Sequence, residues 1–422
     1  MSTTASSQFQ RARRGRGQHG IVLILAVFAV ALLSLLAVGI TTAVRVELLS
    51  SRTALDRTQS LFLAEAGVNQ ARAMLLYDDP TVDTLQDEWG PDAELPLDLP
   101  QQLGDGFYRV RVHDACGRIN INEADYATLL WVTGDPEAAA AIIDWRDRGS
   151  LPAPAGAEQE YYASLPHGYE PRDGPFQTMG ELLLVRGVTP DMFFGTEETP
   201  GLVEILTVES SSSNLDPNGL PRLNLNSFRN WAEQAFRDSV MARLGSVLTM
   251  YETEEIWRGL RDLLQAGQQG YTSLGQLVTV AGLHHTKVAQ IIDLVCVDAD
   301  RLSRGKINLN TAPFSVLAAM PGGSEALAEA IVERRGAAPF TSLGEVSDFL
   351  LQQPNGRDLF VQMIDRVTIK SSSFIVESMG WTEADRSFRT VRALVRRLPD
   401  MVVIVRQFEQ DWPLPPLEET DA

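Results

Sequence analysis

Residues 21–44, IVLILAVFAVALLSLLAVGITTAV, contain no charged side chain. As a helix this run is about 36 Å long, enough to cross a hydrocarbon core of about 30 Å. Within lipid, a single segment satisfies all its backbone polar groups only as a helix. Four arginines precede it (Arg11, Arg13, Arg14 and Arg16), and no acid lies among the first 20 residues. A basic flank stays cytoplasmic, so a single-pass protein is expected, with its N-terminus inside and its body outside. An ordinary secretory signal has a shorter apolar core and a small-residue cleavage site on its far side. Here Thr42-Ala43-Val44-Arg45-Val46-Glu47 follows, and apolar residues continue at helical spacings through Leu48, Leu49, Leu55, Leu61, Phe62, Val68 and Leu75. The first proline is Pro80. The spacing predicts one helix from 21 to about 77, on the order of 85 Å long, with residues 21–44 transmembrane and 45–78 an amphipathic continuation.

Beyond the helix, residues 107–112 (FYRVRV) alternate as a half-buried strand does. Comparable runs return near the end, at 367–369, 374–377 and 388–395. The expected fold class is α+β: a long N-terminal helix lying on a small antiparallel sheet that a large helical insertion interrupts. Residues 79–117 supply the first part of the sheet and 364–398 the second. Residues 399–422 form a C-terminal extension with an acidic tail.

Three units fill the insertion, at 118–214, 215–302 and 303–363. Each opens on one motif: Arg118-Ile119-Asn120-Ile121-Asn122, Arg222-Leu223-Asn224-Leu225-Asn226 and Lys306-Ile307-Asn308-Leu309-Asn310. A second motif follows in each: Phe176-Gln177-Thr178-Met179-Gly180-Glu181, Tyr271-Thr272-Ser273-Leu274-Gly275-Gln276 and Phe340-Thr341-Ser342-Leu343-Gly344-Glu345. The second motif reads as a capping box, with Thr178, Ser273 and Ser342 as caps and Glu181, Gln276 and Glu345 reaching back. Asn122, Asn226 and Asn310 read as N-caps of the helices after the first motif. Each unit closes on a β-like run, at 206–208, 295–297 and 367–369.

The 422-residue chain carries a net charge of −19, and removing the first 20 residues with their four arginines takes it to −23. So acidic a body repels nucleic acid and anionic lipid, which makes nucleic acid an unlikely partner. Cys116 and Cys296 allow either one long-range disulfide or two buried thiols. The five histidines lack metal-ligand spacing, and no GxSxG, HExxH or GxxxxGK[ST] motif occurs. No set of nucleophile, acid and base emerges, so no enzymatic activity is expected.

A basic leader ending in Gly20, followed by this helix, resembles the type IV pilin family. The resemblance implies cutting by a prepilin peptidase between Gly20 and Ile21, with Ile21 open to N-methylation. Family members carry a glutamate where this chain has Leu25, a departure that implies a tip position with no neighbour above. Residues 307–312, followed by Met320-Pro321-Gly322-Gly323 and Ala328-Glu329-Ala330-Ile331, resemble a helix-hairpin-helix module. Apart from the central unit near 214–300 and the tail after about 398, nearly the whole chain looks like the minor pseudopilin K family of type II secretion. The stretches that carry this likeness are Ala140-Ala141-Ile142-Ile143-Asp144-Trp145-Arg146-Asp147, Gly156-Ala157-Glu158-Gln159-Glu160-Tyr161-Tyr162 and Glu181-Leu182-Leu183-Leu184-Val185-Arg186-Gly187-Val188. This second resemblance implies an inner-membrane protein with a periplasmic body, and as partners the other minor pseudopilins and the major pseudopilin. It also implies calcium as a candidate cofactor, held by Asp144, Asp147, Glu158 and Glu160. Where the family has a further acid soon after Asp147, this chain has Arg148-Gly149-Ser150. The alternative functions are a minor pilin of a type IV pilus and a helix-hairpin-helix protein of DNA uptake.

Overall fold

A computed structural model describes residues 18–149, 151–197, 199–228, 232–298, 300–382 and 388–410. Most of the expected leader therefore lies outside the described residues. Helix α1 runs unbroken from Gln18 to Tyr77 over 60 residues. Every side chain from Ile21 to Leu55 is exposed, and continuous packing begins only at Ser60. The expected amphipathic half is thus split. Val46, Leu48, Leu49, Leu55 and Phe62 stay exposed, whereas Ala64, Val68, Ala71 and Leu75 are buried.

Those buried residues face a five-stranded antiparallel sheet of β1 (Gln101–Leu103), β2 (Gly106–Asp114), β3 (Ser373–Thr382), β4 (Phe388–Leu398) and β5 (Met401–Gln410), in that spatial order. Val376 of β3 stands opposite Val112 of β2 and Ala393 of β4. Because side chains alternate along a strand, Phe374, Val376, Ser378 and Gly380 share the face turned to α1. Contact is close enough to demand glycine. A Cβ on Gly67 would lie 2.2 Å from Ser378 Oγ, and one on Gly380 would lie 2.3 Å from the Ser60 carbonyl oxygen.

Two expectations about the sheet need correction. Residues 401–410 of the expected C-terminal extension form β5, which pairs with β4 along most of its length. Residues 367–368, assigned to the sheet from sequence, instead pair in parallel with Ile307-Asn308 and close the third unit.

The insertion leaves after β2 and returns at β3, so it hangs between two adjacent strands. A buried polar network holds this junction. Arg397 on β4 donates to both carboxylate oxygens of Asp83 (2.7 and 2.6 Å), to Asp78 (3.0 Å) and to the Ser371 carbonyl (2.8 Å). Asp114, at the end of β2, accepts from Asn308 Nδ2 (2.9 Å) and Thr311 Oγ1 (2.6 Å) of the third unit. The guanidinium of Arg397 also lies over the Phe374 ring, 5.1 Å from its centroid.

Gly380→Val inserts atoms where helix backbone already sits. We expect it to lower stability by about 1–3 kcal/mol, as overpacking does. Urea unfolding of the full chain in detergent is the measurement.

Candidate functional sites

The three units are built alike. Each first motif forms a two-residue parallel ladder with its own closing run: Ile119-Asn120 with Leu206-Thr207, Leu223-Asn224 with Val295-Cys296, and Ile307-Asn308 with Val367-Thr368. The first asparagine of each motif turns the chain, its Oδ1 accepting from the amide two residues on at 3.0, 2.8 and 3.0 Å. The second asparagine is not the helix N-cap expected from sequence. Asn122, Asn226 and Asn310 instead clasp the aromatic residue of the second motif. Their Oδ1 atoms accept from the amides of Phe176 (2.7 Å), Tyr271 (2.8 Å) and Phe340 (2.9 Å), and their Nδ2 groups donate back to the same residues' carbonyls. Asp125 caps the first helix in their place.

The second motif caps differently from unit to unit. Glu181 accepts from the Thr178 amide at 2.9 Å, and Ser342 Oγ accepts from the Glu345 amide at 3.1 Å. Glu345 itself reaches Thr341 rather than Ser342. Ser273 departs further: its hydroxyl accepts from the Gly275 amide (2.9 Å) and donates to Asp365 of the third unit.

Helices Phe314–Ala319 and Glu325–Ala337 of the third unit pair across Gly322, whose φ is +82°. A phosphate at the second helix would meet Glu325 and Glu329 first. Arg335, in the last turn of that helix, is spent on the carbonyls of Leu309 (2.9 Å) and Ala312 (2.6 Å). In the first unit, Arg146 plays the same part toward the carbonyls of Ile121 and Ala124.

Of the four acids expected as metal ligands, the structure gathers three around one loop. Asp144 ends helix Pro136–Arg146, with Asp147 its C-cap and Glu158 the N-cap of Gln159–Ala163. Asp144 and Glu158 are buried, and a Cβ on Gly156 would stand 1.8 Å from Asp144 Oδ2. Burial raises the Asp144 carboxyl above its ordinary pKa, and repulsion from Asp147 adds to this. Glu158 is raised by burial and by Asp144, Asp147 and Asp173 together. Its Oε1 is buried without a hydrogen-bond partner. Glu160 is exposed and is not part of the cluster. Asp173, also exposed and at a left-handed φ of +49° before Gly174, adds its charge to Glu158. A tighter acidic trio, Asp78, Asp83 and Asp87, has oxygens within 4.8 Å of one another, but Arg397 already bridges the first two.

Both cysteines are free and buried. Cys116 donates to the Ser211 carbonyl (3.3 Å) at the junction, and Cys296 lies in the ladder of the second unit, so the two-thiol reading is the one the structure contains.

On the sheet face away from α1, Glu377 meets His113 at 3.6 Å and Arg392 at 3.3 Å. Burial would raise its pKa, but His113, Arg392 and Arg118 outweigh burial and hold the carboxyl at about 2.

Known proteins share this arrangement in part. Two family models, each described as type II secretion system protein K, match residues 126–194 and 307–368. The first begins at helix Tyr126–Thr133 and the second spans the third unit from ladder to ladder; neither reaches the second unit. Type II secretion system protein K of Pseudomonas aeruginosa is 27% identical over 199 residues, covering 40% of this chain. The chain spans 58% of that relative's length. The solved GspK-GspI-GspJ complex of the enterotoxigenic Escherichia coli type 2 secretion system aligns over 86% of this chain and 100% of its own, with a TM-score of 0.48 and 12% identity.

Because folding lowers the Glu377 pKa, its stabilisation is present above the unfolded value of 4.5 and is lost as pH falls toward about 2. Glu377→Gln is expected to melt below the parent at pH 6 and to converge with it by pH of roughly 2–3. A pH series of melting temperatures for the two proteins reads this directly.

Proposed function

We propose that this chain is a minor pseudopilin of the type II secretion system protein K family that caps or initiates the periplasmic pseudopilus at its tip. The observation that carries this reading is the single 60-residue helix. Its apolar half exposes every side chain, and its last turns, from Ser60, are sealed onto the sheet through glycine. Such a rod holds the body at a set height above the bilayer while offering lipid and neighbouring helices a continuous flank.

Processing follows from the same helix. A prepilin peptidase cuts between Gly20 and Ile21, leaving the rod on the mature protein with Ile21 as the methylated N-terminus. A carboxylate within lipid is costly without a partner. Leu25 removes that requirement and suits a subunit with nothing above it. Beyond the membrane, Leu48, Leu55 and Phe62, exposed and seven residues apart on one face of the helix, form a stripe that meets the helices of other minor pseudopilins and of the major pseudopilin. The paired helices serve as helix-hairpin-helix modules turned to protein contact, since Glu325 and Glu329 stand where DNA would need cations. The role is structural rather than enzymatic.

In the acidic loop, Asp144, Asp147 and Glu158 would hold calcium, with Asp173 near enough to add its charge. The orphaned Glu158 oxygen and the mutual repulsion of the cluster support this. A bound divalent cation would draw the carboxylates together, neutralise that repulsion and fasten the 147–158 loop.

Two experiments test the reading. Affinity purification of the full chain from membranes expressing its secretion system should recover the other pseudopilins with it. Recovery with type IV pilus subunits or with DNA would overturn it. For the cation, a chelator should lower the melting temperature of the parent by several degrees and leave Glu158→Gln unmoved. No shift in the parent would rule out calcium as a structural ligand.

A further inference from the structure

Arg222 opens the first motif of the second unit, and its side chain is only 6% exposed. A guanidinium carries five N–H donors, and a buried one normally spends them. Arg118, which opens the same motif in the first unit, donates to the Val203 carbonyl at 3.2 Å. Arg146, Arg335 and Arg397 are likewise spent on carbonyls or carboxylates. The Arg222 guanidinium donates no hydrogen bond to any described residue. Its Nε is buried without a partner, and its ion pair with Asp293 is 3.6 Å long. Asp293 is itself engaged, accepting from the amides of Leu343 and Gly344, both at 3.2 Å.

The same side chain lines a cavity of about 60 Å³ where three parts of the chain meet. Thr81 comes from the segment after α1, Pro217 and Asp293 join Arg222 from the second unit, and Thr341 and Lys370 come from the third unit and the residues just after its ladder. Lys370 is buried, and its ammonium spends one donor on the Leu215 carbonyl at 2.6 Å. Burial pushes that ammonium down to about 8; repulsion from Arg222 and Lys306 adds to the shift, while Asp293 and Asp83 oppose it. Two buried cations thus share one wall with a single carboxylate that is already bonded. One water needs roughly 10–15 Å³ of such space, so the cavity has room for an ion of several heavy atoms.

We propose that this cavity binds a free tetrahedral oxyanion, inorganic phosphate or sulfate, between Arg222 and Lys370. The planar fork of a guanidinium matches two oxygens of such an ion, and an ammonium supplies a point charge for a third. Chloride would leave the fork half used. A volume of about 60 Å³ admits the free ion and excludes a lipid headgroup or nucleotide carrying the same group. The acidic body as a whole repels anions, so binding rests on these two side chains. Lys370 stands next to Ser371, whose amide donates to Asp83 at 2.6 Å. The ion would therefore tie the first motif of the second unit to the buried network at the junction, and relieve a charge that the protein leaves unpaired.

Equilibrium dialysis of the full chain in detergent tests this, against radiolabelled phosphate or sulfate with ionic strength held constant by sodium chloride. One ion should bind per chain, and Arg222→Met and Lys370→Met should each weaken binding at least tenfold. Melting temperatures separate the site from a purely structural arginine. In chloride alone, Arg222→Met removes an unpaired buried charge and should melt at or above the parent. Added phosphate should raise the parent past the variant, which stays where it was. Three results overturn the proposal: no ion bound to the parent, binding that survives both substitutions and so marks an adventitious ion only, or Arg222→Met melting well below the parent in chloride alone.

Discussion

Helix α1 approaches the sheet so closely that Gly67 and Gly380 leave no space for a methyl group. The rest of the architecture depends on that contact. A helix of 60 residues with only its final turns packed would pivot at the membrane if the packing were loose. Small residues at the seam bring two backbones together, so the buried Ala64, Val68, Ala71 and Leu75 lie in a tight groove of valines. Interiors packed to this density transmit displacement rather than absorb it. The body thereby becomes a stiff continuation of the rod, and movement of the rod in the bilayer moves the body with it.

Where the sheet hands over to the insertion, packing gives way to charge. Asp83 is fully buried, and burial pushes its carboxyl up to about 8 while Arg397 pulls the other way. Arg397 gains from the same arrangement, its own pKa raised despite burial by Asp83, Asp78 and Asp114. A buried pair of this sort adds little net stability over an apolar replacement, but breaking it leaves a stranded charge. Its value here is positional. It draws the segment after α1, the start of β3 and the third unit onto one point of β4, and no apolar cluster would discriminate among those partners so sharply.

Much of this is legible in the sequence, for physical reasons that also mark where reading stops. The rod can be read because an uncharged run from Ile21 to Val44 leaves little besides a membrane helix for the chain to form. The strand at 107–112 can be read because its side chains alternate between the core and a partly accessible face, and that at 374–377 because its run is rich in β-branched and aromatic residues. Paired asparagines and a glycine loop announce the units, yet the role of the second asparagine stays hidden. Its partner lies 54 residues away for Asn122 and 30 for Asn310, whereas capping is a local habit of the same side chain. Arg397 and Asp83 are 314 positions apart, and neither neighbourhood hints at the other. Strand β5 is obscured because its run sits next to a proline-rich end, where composition outweighs alternation.

The proposed role requires that the rod remain part of the mature protein and start at the inner side of the membrane. Intact mass and N-terminal fragmentation of the protein extracted from membranes test this most directly. The expected result is a chain beginning at Ile21, heavier by one methyl group where methylation is complete. A chain that still begins at Met1, or one that has lost residues 21–44, would contradict it.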